Sequence, residues 1–556
     1  MPRYRPPFLV IPIAALIAIL PLILRGCSCG HDFDFHILNW FEAANQFNHG
    51  NLHPHWAYTP AFNAGEPRFI FYPPISWTIG AILGLIMPWT WTPIAYTWLA
   101  LTAAGLSLYH LAKTFTTQND ALLAATFYIV NPYMLYTAYE RTAYAELLAA
   151  AWIPLLLRAI LQEEVTIARI AIPIALLWLT NAPAAVMSCY ALALLAIIRI
   201  AANPGTPSFA SFTKAGVSRE SATVAIKAIL GTALGLALAA FYILPAAYER
   251  RYVQIAMAIL PGMTPQDNFL FHRLGDPDHD GVLHTASIVA IILIVLTVIT
   301  LTINALQRKK HPILLSLTIL AATITLLLIP LSAPIWHYLP ELRFLQFPWR
   351  ILAILAPTLS LAIALALSPL NLKPAITAAL SLTIAAALTW PAYHFFHQYC
   401  YPEDTIATRL ALFQSANPGT DPTDEYTPTT ANNDILAKAN PPFWLSTHPT
   451  APSPTESTPG PAPTHLILAS PIPQTLILNL RSYPLWKITD NGSPVSTLPR
   501  PDGLIAIPIP AGPSIIDITP NHRPDEILGL IISALALLVL SLLLATQSRT
   551  SRKITF

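Results

Sequence analysis

The chain has 556 residues, of which 54% are hydrophobic and only 10% charged. That balance, with a positive mean hydropathy, excludes an ordinary soluble globular protein and indicates a polytopic membrane protein. A formal net charge of +2 gives no reason to expect a nucleic-acid partner, so the placement of the charges carries the information.

In chain order, Arg3 and Arg5 precede an apolar run from Phe8 to Leu24, predicted as an uncleaved helix. Arg25 before the Gly26-Cys27 pair argues against cleavage as a lipoprotein signal. Further apolar runs lie near 94–112, 121–138, 146–161, 169–181, 183–200, 226–247, 285–306, 312–330, 351–368, 375–391 and 526–545. Counted with the first, about twelve membrane spans are predicted. The apolar stretch 75–88, bounded by prolines, is too short to cross and is expected to be re-entrant or interfacial.

Helix parity supports that choice. With a cytoplasmic N-terminus, the cytoplasmic loops then hold Lys113, Arg158, Arg169, Arg199, Lys214, Arg219, Lys227, Arg308, Lys309, Lys310, Lys373, Arg549, Arg552 and Lys553, as the positive-inside rule requires. The outer rim carries Arg25, Arg68, Arg141, Arg250, Arg251, Arg273, Arg343 and Arg350, all arginine. Arginine suits two-pronged contact with phosphate, although it also snorkels to headgroups.

Residues 392–525 read as a polar extracytoplasmic segment. Its middle, NPPFWLSTHPTAPSPTESTPGPAPT, is expected to be an extended linker. After it, HLILAS, TLILNLRSYPLWKI, GLIAIPIP and SIIDIT alternate between turn formers, including Asn491-Gly492, and predict a small β-sandwich. Cys27, Cys29, Cys189 and Cys400 do not suggest a disulfide framework.

Four clusters could carry chemistry. Asp32 and Asp34, between His31 and His36 in the segment after the first helix, could include a general base, or could cap the helix that follows. Glu140, Arg141 and Glu146 lie on a loop that parity puts on the same side, where a carboxylate is costly unless paired or used. Asp276, Asp278 and Asp280 copy the first half of a calcium loop, but Ser287 stands where such a loop needs glutamate, so they are a cation site or an Asp-Gly turn. Glu341, Arg343, Gln346 and Arg350 belong to an aromatic-rich loop that fits an interfacial belt or a lipid phosphate. His31, His36, His49, His53 and His55 lack zinc-site spacing to any cysteine pair.

The order of several motifs carries a resemblance: His31-Asp32 with His36, Gly50-Asn-Leu-His-Pro54-His-Trp56, Asn63-Ala-Gly65-Glu-Pro67 and Phe71-Tyr72-Pro73-Pro74. Arg141-Thr-Ala-Tyr-Ala-Glu146 with Pro154, Leu345-Gln346-Phe347-Pro348-Trp349-Arg350, Glu425-Tyr426-Thr-Pro428 and Tyr483-Pro-Leu-Trp486 follow. The set resembles the GT-C superfamily of membrane glycosyltransferases, and more closely the bacterial multi-pass proteins with the 6-pyruvoyl-tetrahydropterin synthase-related membrane domain, near the YfhO-like group. The histidine zinc site of a soluble pterin synthase is missing.

The resemblance implies a mainly α, GT-C-like membrane domain over residues 1–391, with a large first outer loop at 25–93. It also implies an extracytoplasmic linker and β domain over 392–525, and a last helix with a basic cytoplasmic tail over 526–556. The implied activity, at a bacterial cytoplasmic membrane, moves a sugar from a polyprenyl-phosphate-linked donor to an extracytoplasmic glycan, lipid or protein acceptor. Asp32, with Asp34 and Glu146, falls in the catalytic set; His36, Arg68, Tyr72, Glu140, Arg141, Arg343 and Arg350 fall in the substrate-binding set. The second outer loop has no Asp-x-Asp, which leaves a divalent cation open as cofactor. A non-catalytic envelope scaffold or lipid-glycan-binding protein is the alternative, and a transporter a third. The transferase reading requires the Asp32 and Glu146 carboxylates to meet in one cavity lined by arginines.

Overall fold

The computed structural model describes residues 7–201, 219–307, 313–454, 457–521 and 523–553. Arg3, Arg5, Lys214, Arg308, Lys309 and Lys310, which entered the parity argument, lie outside these residues. The chain is mainly helical, with a small β region before the last helix.

Every apolar run expected to span is helical, though not all twelve are both long and uniformly apolar. Among the described residues nine helices are long and apolar enough to cross a membrane, or up to 10 if Ile313–Leu327 and Pro330–Tyr338, which meet at 93°, make one broken span. The remaining two runs fall short for separate reasons. Ile167–Thr180 has only 14 residues, and Thr92–Lys113, though 22 residues long, interrupts its apolar face with Thr97, Ser107 and His110. The stretch expected to be short is the 13-residue helix Pro74–Ile86, less than the roughly 17–25 residues of a span.

The polar stretch after the first helix folds into the helix Phe33–Asn48, irregular chain over 49–67 and the single turn Arg68–Phe71. Its aromatics anchor it to the helical body. Trp40 stacks on Tyr96 at 5.0 Å and meets Tyr144 at 5.0 Å, and Ser76 Oγ and Tyr96 Oη share a hydrogen bond of 2.9 Å.

The β region has seven strands: β1 (Phe443–Ser446), β2 (His465–Ser470), β3 (Gln474–Arg481), β4 (Trp486–Asp490), β5 (Ser493–Pro494), β6 (Leu504–Ile509) and β7 (Gly512–Pro520). They form two antiparallel sheets, ordered β1-β3-β6 and β2-β7-β4-β5. Alternation decides which side chains meet: Leu476, Leu478, Ile505 and Ile507 share a core with Ile488, Ile516 and Ile518 of the other sheet. The Asn491-Gly492 pair closes the β4–β5 hairpin with φ of 50° and 78°, the two left-handed residues of a type I′ turn. β1 lies inside the stretch expected to be linker. It is a strand because Trp444 packs with Ile477 and Leu504 beneath it.

The far face of β3 is covered by the polar stretch itself. Ile477 packs with Ala61 and Ala64, Arg481 donates its backbone N–H to Ala64 O at 2.8 Å, and Phe62 donates its own to Thr420 O at 2.8 Å. A further correction concerns the cysteines. Cys29 and Cys400 form a disulfide across a separation of 371 residues, with Cα atoms 4.9 Å apart, while Cys27 and Cys189 are free thiols.

Candidate active site

Three segments remote in sequence are stitched into one platform. Ser28 Oγ donates to Tyr139 O and accepts from Gln398 N at 2.9 Å; Cys29 N donates to Gln398 O at 3.0 Å. Asp32 N donates to Arg141 O at 2.9 Å and His31 N to Glu140 O at 3.4 Å. Gly30 makes this approach possible, because a Cβ at that position would lie 2.1 Å from Glu140 O. The platform brings the Asp32 loop against the Glu140–Arg141 loop, and both open on a cavity of about 690 Å³.

Asp32 stands at the N-cap of the helix Phe33–Asn48, yet its side chain makes no cap hydrogen bond. Its Oδ2 instead lies 3.8 Å from Arg141 Nη2. Arg141 Nη1 donates to Glu146 Oε2 at 2.8 Å, Tyr133 Oη donates to the other Glu146 oxygen, and the guanidinium lies 4.7 Å from the Trp349 ring centre. Burial disfavours the Arg141 charge, but Glu146, then Tyr133 and Asp32, more than offset this and hold the guanidinium protonated. The two carboxylates therefore meet in one cavity, with Arg141 between them.

Arg350 lines the same cavity. Its Nη1 donates to Leu345 O at 3.1 Å and Gln346 Oε1 at 3.3 Å. Its Nε is buried with no hydrogen-bond partner. An unsatisfied buried donor on a cation favours an anionic ligand. His36, 2% exposed, meets the edges of Tyr72 at 5.9 Å and Tyr144 at 5.4 Å. Burial lowers its pKa to about 4, so it serves as a neutral ring at physiological pH. Tyr72, held protonated by burial and by Asp32, completes this end. A neighbouring wall comes from the single turn Asp424–Tyr426, where Glu425 and Tyr426 line the cavity. At the mouth Arg250 pairs with Glu341 at 3.2 Å.

Several expected site residues are elsewhere. Asp34, two residues further along the helix start, turns away from the cavity and is held by Arg409, whose Nε lies 3.1 Å from Oδ1. Arg68 is buried beneath the wall, donating to Glu66 at 2.7 Å, Asn39 at 3.1 Å and Thr423 at 2.8 Å. Glu140 accepts from Gln398 Nε2 at 2.9 Å behind the platform. Arg343 is exposed, its guanidinium 4.9 Å from the Phe344 ring centre. None of these four lines the cavity.

Asp276 caps the helix Pro277–Leu306, accepting from Asp278 N and His279 N. Asp278 lies in the first turn, and Asp280 accepts from Leu274 N and Gly275 N. The trio forms a helix cap and a turn. Among the described residues the one cluster of metal-ligating type is Cys27, Cys29 and Cys400, two of which share the disulfide.

The sequence reading assigned no role to Tyr133, Tyr242 or Trp178. Tyr133 was detectable as a phenol amid an apolar run, directly after Asn131-Pro132.

No protein-family model and no curated protein matches the chain. Among solved structures it is similar to the arabinofuranosyltransferase AftD from mycobacteria, with a TM-score of 0.42 and 18% identity over 69% of this chain and 26% of that one. It is also similar to the oligosaccharyltransferase of Archaeoglobus fulgidus, with a TM-score of 0.41 and 18% identity over 73% of this chain and 55% of that one. The chain thus spans about a quarter of the first protein and about half of the second. Likeness at this level says nothing by itself about what the chain does.

Proposed function

We propose that this protein is a membrane glycosyltransferase of the GT-C type, near the bacterial multi-pass proteins with the 6-pyruvoyl-tetrahydropterin synthase-related domain. It takes a sugar from a polyprenyl-phosphate-linked donor and transfers it with inversion at the extracytoplasmic face. The observation that carries the reading is Asp32, an N-cap residue that does no capping and shares a cavity with Arg350, whose buried Nε has no partner.

In the proposed step Asp32 takes the proton of an acceptor hydroxyl, whose oxygen attacks the anomeric carbon from the face opposite the leaving group. The bond from that carbon to the phosphate oxygen breaks, and its electron pair leaves on the lipid phosphate. Arg350, assisted by Arg141, stabilises the developing charge. Glu146 acts through Arg141, fixing its position and part of its charge. Arg141 already fills the place that a divalent cation would take between Asp32 and Glu146.

Membranes bearing the protein, supplied with labelled polyprenyl-phosphate sugars, test the reading. Asp32→Asn is expected to lower transfer by about 100-fold or more, and Glu146→Gln to abolish it, with insertion and expression intact. Full activity in both variants sinks the assignment. Donor binding without turnover in the unaltered protein would instead make it a lipid-glycan-binding scaffold.

A further inference from the structure

The acids in and behind the Asp424–Tyr426 wall differ in how well they are satisfied. Glu42 accepts from Tyr58 N at 2.8 Å and Thr59 N at 2.6 Å, Glu66 from Arg68 at 2.7 Å and Thr423 N at 3.0 Å, and Asp424 from Asn433 at 2.7 Å. Glu425 differs: among the described residues its carboxylate meets only its own backbone amide, and it faces the cavity.

The turn that presents it is rigidly braced. Gln254 N donates to Thr427 O at 2.9 Å, Gln254 Nε2 to Pro428 O at 3.0 Å, and Val253 bridges Pro428. Beside Glu425, Tyr426 lies parallel to Phe71 with ring centres 5.6 Å apart and an interplanar angle of 8°. Tyr242 fixes Phe71 by donating to its carbonyl at 2.7 Å. All three aromatic residues line the cavity.

A preorganised carboxylate with open acceptor sites, set beside aromatic faces, matches the chemistry of a sugar ring. Adjacent hydroxyls donate to the two oxygens, and the C–H face packs on an aromatic surface. The same carboxylate repels phosphate, so this wall takes a neutral polyhydroxylated group while Arg350 takes the anion. From this geometry we infer that the Phe71, Tyr242, Glu425 and Tyr426 wall is the acceptor subsite, and that the acceptor is itself a saccharide. The inference rests on the transferase reading and narrows its acceptor class to carbohydrate.

The full chain in lipid nanodiscs can be titrated by saturation-transfer NMR with methyl α-mannopyranoside, methyl β-glucopyranoside, methyl α-arabinofuranoside and maltose, and separately with decaprenyl phosphate. Glu425→Gln and Tyr426→Ala are expected to weaken saccharide binding at least tenfold and to change decaprenyl phosphate binding less than twofold. Arg350→Ala should give the reverse pattern. The proposal is overturned if no saccharide of the panel binds the unaltered protein, if both wall variants bind saccharide normally, or if they weaken decaprenyl phosphate instead. Saccharide binding without any decaprenyl phosphate binding would count against the donor assignment and leave the saccharide wall standing. Glutamine keeps the shape of glutamate, so a loss in Glu425→Gln reports lost chemistry rather than lost fold.

Discussion

A half-buried carboxylate with no donor beyond its own backbone amide works against folding, and Glu425 is such a group. Burial is the main reason that its pKa lies above the ordinary 4.5, with Glu66 and Asp424 adding to it and Arg68 opposing it. For a raised folded-state pKa, the favourable contribution is complete below the ordinary value and is lost as pH rises through the raised one. At neutral pH the ionised group therefore costs stability. Glu425→Gln should unfold at a higher temperature than the unaltered protein at pH 7.5, with the gap closing by pH 4.5; thermal unfolding followed by tryptophan fluorescence reads both. A lower Tm at pH 7.5 would mean that the carboxylate holds the fold together. Asp32 could be read from sequence only as one of a pair. Two aspartates spaced by one phenylalanine look alike until the helix start fixes their directions, and Arg409, which claims Asp34, lies 375 residues away.

Among the elements, the apolar helices were legible because a run of that length has few other uses in a bilayer. Their number was less legible, because a helix that packs inside the bundle can carry hydroxyls, as Thr92–Lys113 does with Thr97 and Ser107 buried. The Cys29–Cys400 bond was not legible at all: nothing near Cys400 announces that the chain returns there to the first loop. It ties the Asp32 loop to residues 397–400, alongside the Gln398 hydrogen bonds. Cys29→Ser with Cys400→Ser is expected to cost about 2–4 kcal/mol of stability and to slow transfer several-fold through a looser Asp32. Differential alkylation of the unfolded protein and mass spectrometry should find Cys27 and Cys189 labelled without reductant, with Cys29 and Cys400 labelled only after reduction. An unchanged Tm in the double variant would remove the bond from the account.

Across the whole molecule, composition had marked residues 392–525 as a separate polar segment, and the two sheets were visible in their alternation. Their dependence on the first polar stretch was not visible, because it rests on surfaces that alternate with the core positions. β3 is buried on both faces, one of them covered by Ala61 and Ala64. Asn479 Nδ2 reaches back to Phe62 O at 3.1 Å. Residues 392–525 expressed alone should therefore fail to form a native sandwich, showing poor amide dispersion in NMR and binding a hydrophobic dye. A well-dispersed spectrum from that fragment would show that the first stretch merely leans on it.

The platform under Asp32 also sets an order of events during synthesis. Residues 26–34 leave the ribosome early, whereas Gln398, Cys400 and Arg409, which hold that stretch in place, follow hundreds of residues later. Translation proceeds at about 5–20 residues per second, so Asp32 spends on the order of a minute without its supports. A chain that ends before the Asp424–Tyr426 turn cannot assemble the cavity, and its competence arises only once about three quarters of the polypeptide is in place.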